Sequence, residues 1–182
     1  MIKTAEIVER IEELTHYYLD ELHPLSMEQL KLQSNENEWS LGQLYLHLIK
    51  TALYMQIGNI EKCQNQSADA VDTIGGKTDA GAAVFTLGGF PPERIRVPAS
   101  PQYTPEQPGS KQQIIDGMHT VLQRMKEIEP LLEDISPRCT SLHPRLGALN
   151  AKEWFALIEM HYRHHLLQLE RLKAFLNSTE TV

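Results

Sequence analysis

Three histidines near the C-terminus, His161, His164 and His165, lie inside the apolar stretch WFALIEMHYRHHLLQLERL, which runs from Trp154 to Leu172. On a helix, His161 and His165 project from one face on successive turns, as two ligands of one metal ion must. His164 is turned about 60° from His161, the other way from His165, and ranks as a neighbour of the pair. Two imidazoles on a core-facing stripe cost burial energy unless something satisfies them. A third candidate is His47, in the middle of LGQLYLHLIK, a segment apolar nearly all round. A lone buried histidine is more often a hydrogen-bonded core residue, so His47 becomes a ligand only if it falls level with the pair. Three protein nitrogens would leave positions open for water or substrate, the mark of a catalytic site. Imidazole suits Zn, Ni, Fe and Cu alike, so residue type does not choose the metal.

Other constellations fit less well. Tyr162 stands where an H-E-x-x-H metalloprotease needs its general-base Glu. Glu13-x-x-His16 and Asp116-x-x-His119 resemble the carboxylate-x-x-His pairs of di-iron bundles. That class also needs carboxylates from the other two helices, and none occurs between Trp39 and Ile60. His16 and His119 therefore read as rim residues, and His23 and His143, each before a proline, as loop residues.

The elements that must position these groups follow from periodicity. Thr4 can cap a first helix reaching about Leu22, with Ile7, Ile11, Leu14, Tyr18 and Leu22 as its apolar stripe. After a polar connector, Ser40 opens a second helix from Leu41 to about Gln64. From Ser67 to Gly109 helical periodicity is lost, and this stretch holds six of the ten prolines and six of the ten glycines. A connection this long is usually functional or a crossover, and Ala82 to Leu87 within it suits a short strand or a helical turn. Ser110 with Gln113 fits a capping box for a third helix, carrying Ile114, Met118, Val121, Leu122, Met125 and Ile128 until Pro130 ends or kinks it. SPRCTSLHPRLGAL carries turn signals and reads as a loop. Asn150 and Glu153 then box the fourth helix, whose stripe is Trp154, Ile158, His161, His165, Leu169, Leu172 and Leu176.

Four amphipathic helices in a single domain over 1–182 predict an all-α four-helix bundle. The short 1–2 and 3–4 connections and the long 2–3 crossover favour an up-down-down-up order, with helices 2 and 4 antiparallel. At roughly 1.5 Å per residue, His47 then lies about 10–12 Å from the start of helix 2 and His165 about 16 Å from the end of helix 4. That is within about one turn, given uncertain helix ends. The geometry permits a three-histidine site.

Composition narrows the class. The chain has 182 residues and a formal net charge of -7. It has no Lys/Arg run to track phosphates, which argues against a nucleic-acid partner. Two cysteines, Cys63 and Cys139, far apart and without C-x-x-C spacing, argue against a disulfide framework and fit a reducing cytoplasm. No secretory leader or bilayer-spanning stretch is evident, so a soluble cytoplasmic protein without a membrane partner is expected. Trp39 and Trp154, near the starts of helices 2 and 4, read as packing anchors rather than substrate contacts.

The pattern W-S-L-G-Q-L-x-x-H-L from Trp39 to Leu48 resembles the first signature of the DinB/YfiT-like superfamily. H-P-R-L-G-A-L-N-A-K-E-W from His143, followed by H-Y-R-H-H-L-L-Q-L, resembles its second. The likeness is nearest to an uncharacterised branch whose lead-in is shared with the bacillithiol S-transferase type. It implies an up-down-down-up bundle and a bacterial family of metal-dependent enzymes, with a divalent ion, often Ni or Zn, on three histidines. Carried over, these are His47, His161 and His165. It also implies a small-molecule substrate such as a low-molecular-weight thiol, with a transferase or hydrolase reaction in which the metal activates thiol or water. The alternative from another class is a non-catalytic bundle acting as a binding module or homodimer.

Overall fold

The computed structural model describes residues 3–66, 76–92 and 104–179. Helix α1 (Thr4–Leu22) buries Ile7, Ile11, Thr15, Tyr18 and Leu22. Thr4 is not its cap. Lys3 holds that position without a side-chain bond, and Thr4 Oγ1 donates instead to Glu129 Oε1 at 2.6 Å. The polar connector that follows contains a five-residue helix, α2 (Met27–Lys31), opened by a Ser26–Gln29 capping box.

The second long helical run is α3 (Leu41–Lys50), a π-helical stretch (Thr51–Ile57) and α4 (Gly58–Gln64). Ser40 and Gln43 satisfy each other's backbone N–H groups at its start, a complete capping box. The π stretch begins four residues after His47, and wide turns of this kind are frequent at functional sites.

Within the crossover lies helix α5 (Asp79–Leu87), so Ala82 to Leu87 is helical rather than a strand. Thr78 Oγ1 accepts from Gly81 N at 3.1 Å to start it, and Gly88, at φ 66°, ends it in the left-handed conformation. Helix α6 (Lys111–Ile128) buries all six residues of its expected stripe, and Pro130 turns its end into a short 3-10 segment.

The segment expected to be a loop forms an antiparallel hairpin, β1 (Thr140–His143) with β2 (Gly147–Asn150). His143 Nδ1 accepts from the backbone N–H groups of Arg145 and Leu146, both at 3.1 Å, and this side chain closes the turn. Gly147 has φ 83°, and a Cβ there would fall 2.6 Å from Gly76 O, so only glycine fits between hairpin and crossover. The all-helical expectation thus gains one small sheet. Asn150 and Glu153 cap helix α7 (Ala151–Thr179) as the sequence predicts.

The long helices share one apolar core, in which Ile11, Tyr18, Leu44, Tyr45, Trp154 and Ile158 are fully enclosed. Contacts made by side chains, one of them to the His23 carbonyl, give the relative directions. Glu12–Lys126 and His23–Lys111 run α1 against α6, whereas Tyr17–Glu170 and Glu21–Lys173 run α1 alongside α7. Among the described residues no helix is long and apolar enough to cross a membrane.

Candidate metal centre

The fold brings together the three histidines singled out by spacing and by resemblance. His47 reaches α7 from the last turns of α3. His47 Nε2 lies 3.1 Å from His161 Nε2, and His165 Nε2 lies 3.0 Å from the same atom. Among the described residues they are the one group of three or more His, Cys, Asp or Glu side chains with converging donor atoms. All three rings are half-buried.

The electrostatics keep these rings neutral. Burial depresses His47 to about 4 and His165 to about 3, and it holds His161 well below the usual histidine value, with its two partners adding to the effect. Gln168 Oε1 stands 2.9 Å from His165 Nδ1. With that oxygen accepting, the His165 proton sits on Nδ1 and Nε2 turns a lone pair toward His161. Thr51 Oγ1 is 3.5 Å from His47 Nδ1, at the edge of hydrogen-bonding distance. His161 Nδ1 is buried and has no hydrogen-bond partner among the described residues.

These features fit a cation. Neutral imidazole nitrogens are the form that ligates, and lone pairs aimed at one another repel unless a proton or a cation lies between them. Separations of 3.1 and 3.0 Å between Nε2 atoms are short enough for one ion, with nitrogen ligands at about 2.0–2.1 Å, to reach both members of each pair. The donor set is all nitrogen, which suits Zn, Ni, Fe or Cu alike and leaves Mg and Ca disfavoured.

A family model for the DinB superfamily matches residues 10–169. The chain belongs to the DinB superfamily. No curated protein and no solved structure matches it significantly. As a DinB superfamily member with a converging histidine triad, it carries a site compatible with metal binding.

The other histidines stand apart from the triad. His164 is half-buried, with its ring centroid 5.3 Å from Phe90 and 5.4 Å from His165. His16, His23 and His119 are exposed, as are Glu13 and Asp116 of the rejected di-iron pattern. The two tryptophans separate in environment. Trp154 is fully enclosed, whereas Trp39 is half-buried with its ring 4.9 Å from that of His47.

Two features escaped the sequence reading. Gln168 lies three residues after His165, a spacing that places it on the same helix face. Glu159 is 4 % exposed and forms a forked pair with Arg163 at 2.8 and 3.0 Å. Arg163 Nη2 also donates to Gly88 O at 2.6 Å, which ties the end of α5 to α7 beside the triad. At the other end of the crossover, Pro105 O accepts from Gln43 and Gln107 accepts from Ser40, at the start of the helix that carries His47. A groove of about 500 Å³ lined by Arg10, Glu13, Tyr17, Glu159, Arg163 and Leu166 contains none of the three histidines.

Proposed function

We propose that this DinB superfamily protein is a metal-dependent enzyme of the transferase or hydrolase type, with His47, His161 and His165 holding a divalent ion, Zn or Ni. The observation that carries the reading is the convergence of three neutral Nε2 atoms, two of its edges measuring 3.0 and 3.1 Å. Such an ion would lower the pKa of a thiol or water, or polarise a carbonyl, on a small-molecule substrate such as a low-molecular-weight thiol. Gln168 orients the His165 ring and fixes its tautomer. Trp39 lies against the His47 ring and restricts its rotation. The described parts of the crossover, held by Arg163 at Gly88 and by Ser40 and Gln43 at Gln107 and Pro105, are taken as a wall of the substrate site rather than a mere connector.

We also read the four long helical runs as one up-down-down-up bundle domain. The antiparallel pairing of α1 with α6 and the parallel pairing of α1 with α7 support that order.

Metal analysis of protein purified without a histidine tag tests the reading, with His165→Ala alongside. About one equivalent of metal in the wild type and little in the variant is the expected result. Wild-type protein without metal, and indifferent to chelator in a melt, overturns the enzyme reading and favours a non-catalytic bundle. With metal present, a screen of small thiols against a chlorobimane-type electrophile separates the reactions. Thiol consumption no faster than in the metal-free control removes the transferase and leaves the hydrolase.

A further inference from the structure

The two cysteines, remote in sequence, meet in the fold. Cys63 sits in the last turn of α4 and is 1 % exposed. Its Sγ lies 4.0 Å from Ser141 Oγ on β1, and Cys139 stands two residues before Ser141 at the entry to the same strand, beside the Cys63 thiol. Neither is in a disulfide, and Cys139 is half-buried on the turn entering the hairpin. Cys139 N donates to Ser136 O at 3.0 Å, so the turn that presents this sulfur is itself hydrogen-bonded. Among the described residues neither cysteine belongs to a converging group of three or more potential ligands.

The two thiols differ in a way that assigns them separate chemistry. The thiolate is the reactive form and must be reached by its partner in exchange. Cys139 keeps part of its surface in solvent. Cys63 does not, and burial pushes its thiol up, so it does not react with solutes on its own account. It stands instead against the sulfur that would be modified first.

We propose that Cys63 and Cys139 form a redox-modifiable dithiol, in which Cys139 is the entry thiol and Cys63 resolves it to an intramolecular disulfide. The oxidant class is a low-molecular-weight disulfide, RSSR. Cys139 loses its proton to solvent, and its thiolate attacks one sulfur of RSSR. The small S–S bond breaks, and RS⁻ leaves and takes up a proton. Cys63 then gives up its proton and attacks the Cys139 sulfur of the mixed disulfide, expelling the second RS⁻, which is also protonated. In sum, two protein thiols and RSSR become one protein disulfide and two RSH. The protein loses two electrons and two protons, and the small disulfide gains them. The new bond ties the end of the helical run that carries His47 to the hairpin that leads into α7, which carries His161 and His165. It rests on the thiol pair alone and is independent of what the histidines bind.

The test is incubation of the full chain, folded, with oxidised glutathione, followed by non-reducing intact mass and peptide mapping. The wild type should lose the mass of two hydrogens and yield a Cys63–Cys139 linked peptide that reductant separates. Cys63→Ala should stop at a glutathione adduct on Cys139. Cys139→Ala, with only the buried thiol left, should form adduct about tenfold more slowly or less. The proposal is overturned if the wild type also stops at a stable adduct on Cys139. It is equally overturned if the wild type stays unmodified under conditions where Cys63→Ala takes the adduct.

Discussion

His161 and Tyr162 are neighbours on α7, yet the clusters they anchor bury polar rings in opposite ways. Tyr18, Tyr45 and Tyr162 are wholly enclosed and meet edge to face, with Tyr18 5.7 Å from Tyr45 and 5.8 Å from Tyr162 between centroids. Each hydroxyl has a destination. Tyr18 donates to Tyr162 O at 2.8 Å, Tyr45 to Tyr18 O at 2.6 Å, and Tyr162 to Met118 Sδ at 3.9 Å. Burial pushes all three phenols up, so they stay protonated and keep donating. The histidine cluster is only half-buried, its nitrogens face one another, and His161 Nδ1 has no partner among the described residues. The tyrosines form a closed network that can only stabilise. The histidines form one that a cation would complete, and satisfaction of buried polar groups is what tells the two apart.

The strongest way to break this contrast is His161→Ala, because His161 Nε2 is the atom both other rings approach. Metal content of untagged protein, near one equivalent in the wild type, should fall to background. Acidification should come next in size. Unfolded histidines titrate near 6.5, whereas His47 and His165 fold with values of about 4 and about 3, and His161 lies well below the ordinary value. Between these limits the unfolded chain binds more protons than the folded one. Stability of the metal-free protein is therefore full above about pH 6.5 and declines as pH falls toward 4 and 3. Thermal melts from pH 7.5 to 4.5 should show that decline in the wild type and a flatter profile once all three histidines are glutamine. Equal slopes in the two proteins would remove the triad as the cause.

Much of this site was legible in the sequence because helices translate spacing into direction. The i, i+4 relation of His161 and His165, the caps at Ser40 and Asn150, and the stripes of α6 and α7 each depend on near neighbours. What depended on distant partners was hidden. The hairpin looks like a loop in sequence because its turn is closed by the His143 side chain and its outer edge by Gly76 and Thr78 of the crossover. Helix α5 was obscured by the glycines around it, and Gly81 and Gly88 turn out to belong to its first turn and its terminus. The π stretch after Lys50 leaves no mark in TALYMQI, a run without Gly or Pro to signal a widened turn. Thr4 caps nothing because Glu129, at the far end of another helix, claims its hydroxyl. The meeting of Cys63 with Cys139 is a product of topology alone.

A smaller perturbation sharpens the role of groups behind the triad. Gln168→Leu removes the acceptor that fixes the His165 tautomer while keeping a helix-compatible side chain of similar length. Loss of such a partner weakens metal affinity by roughly 10–100-fold, readable in competition with a chromophoric chelator. An unchanged affinity would mean that His165 is oriented by packing alone.

The smallest expected effect belongs to the closed cluster. Tyr45→Phe deletes the hydroxyl that donates to Tyr18 O but keeps the ring and its edge contact. The deprived carbonyl lies within α1, where it still serves the helix, so no group is left wholly unsatisfied. The cost should be that of one ordinary hydrogen bond, about 1 kcal/mol. For a chain of this size that lowers Tm by roughly 2–4 °C. Metal content should not change, since the tyrosine network completes itself without drawing on the histidines. If Tyr45→Phe stripped metal as His161→Ala does, the two clusters would be one unit, and their difference in satisfaction would no longer separate scaffold from site.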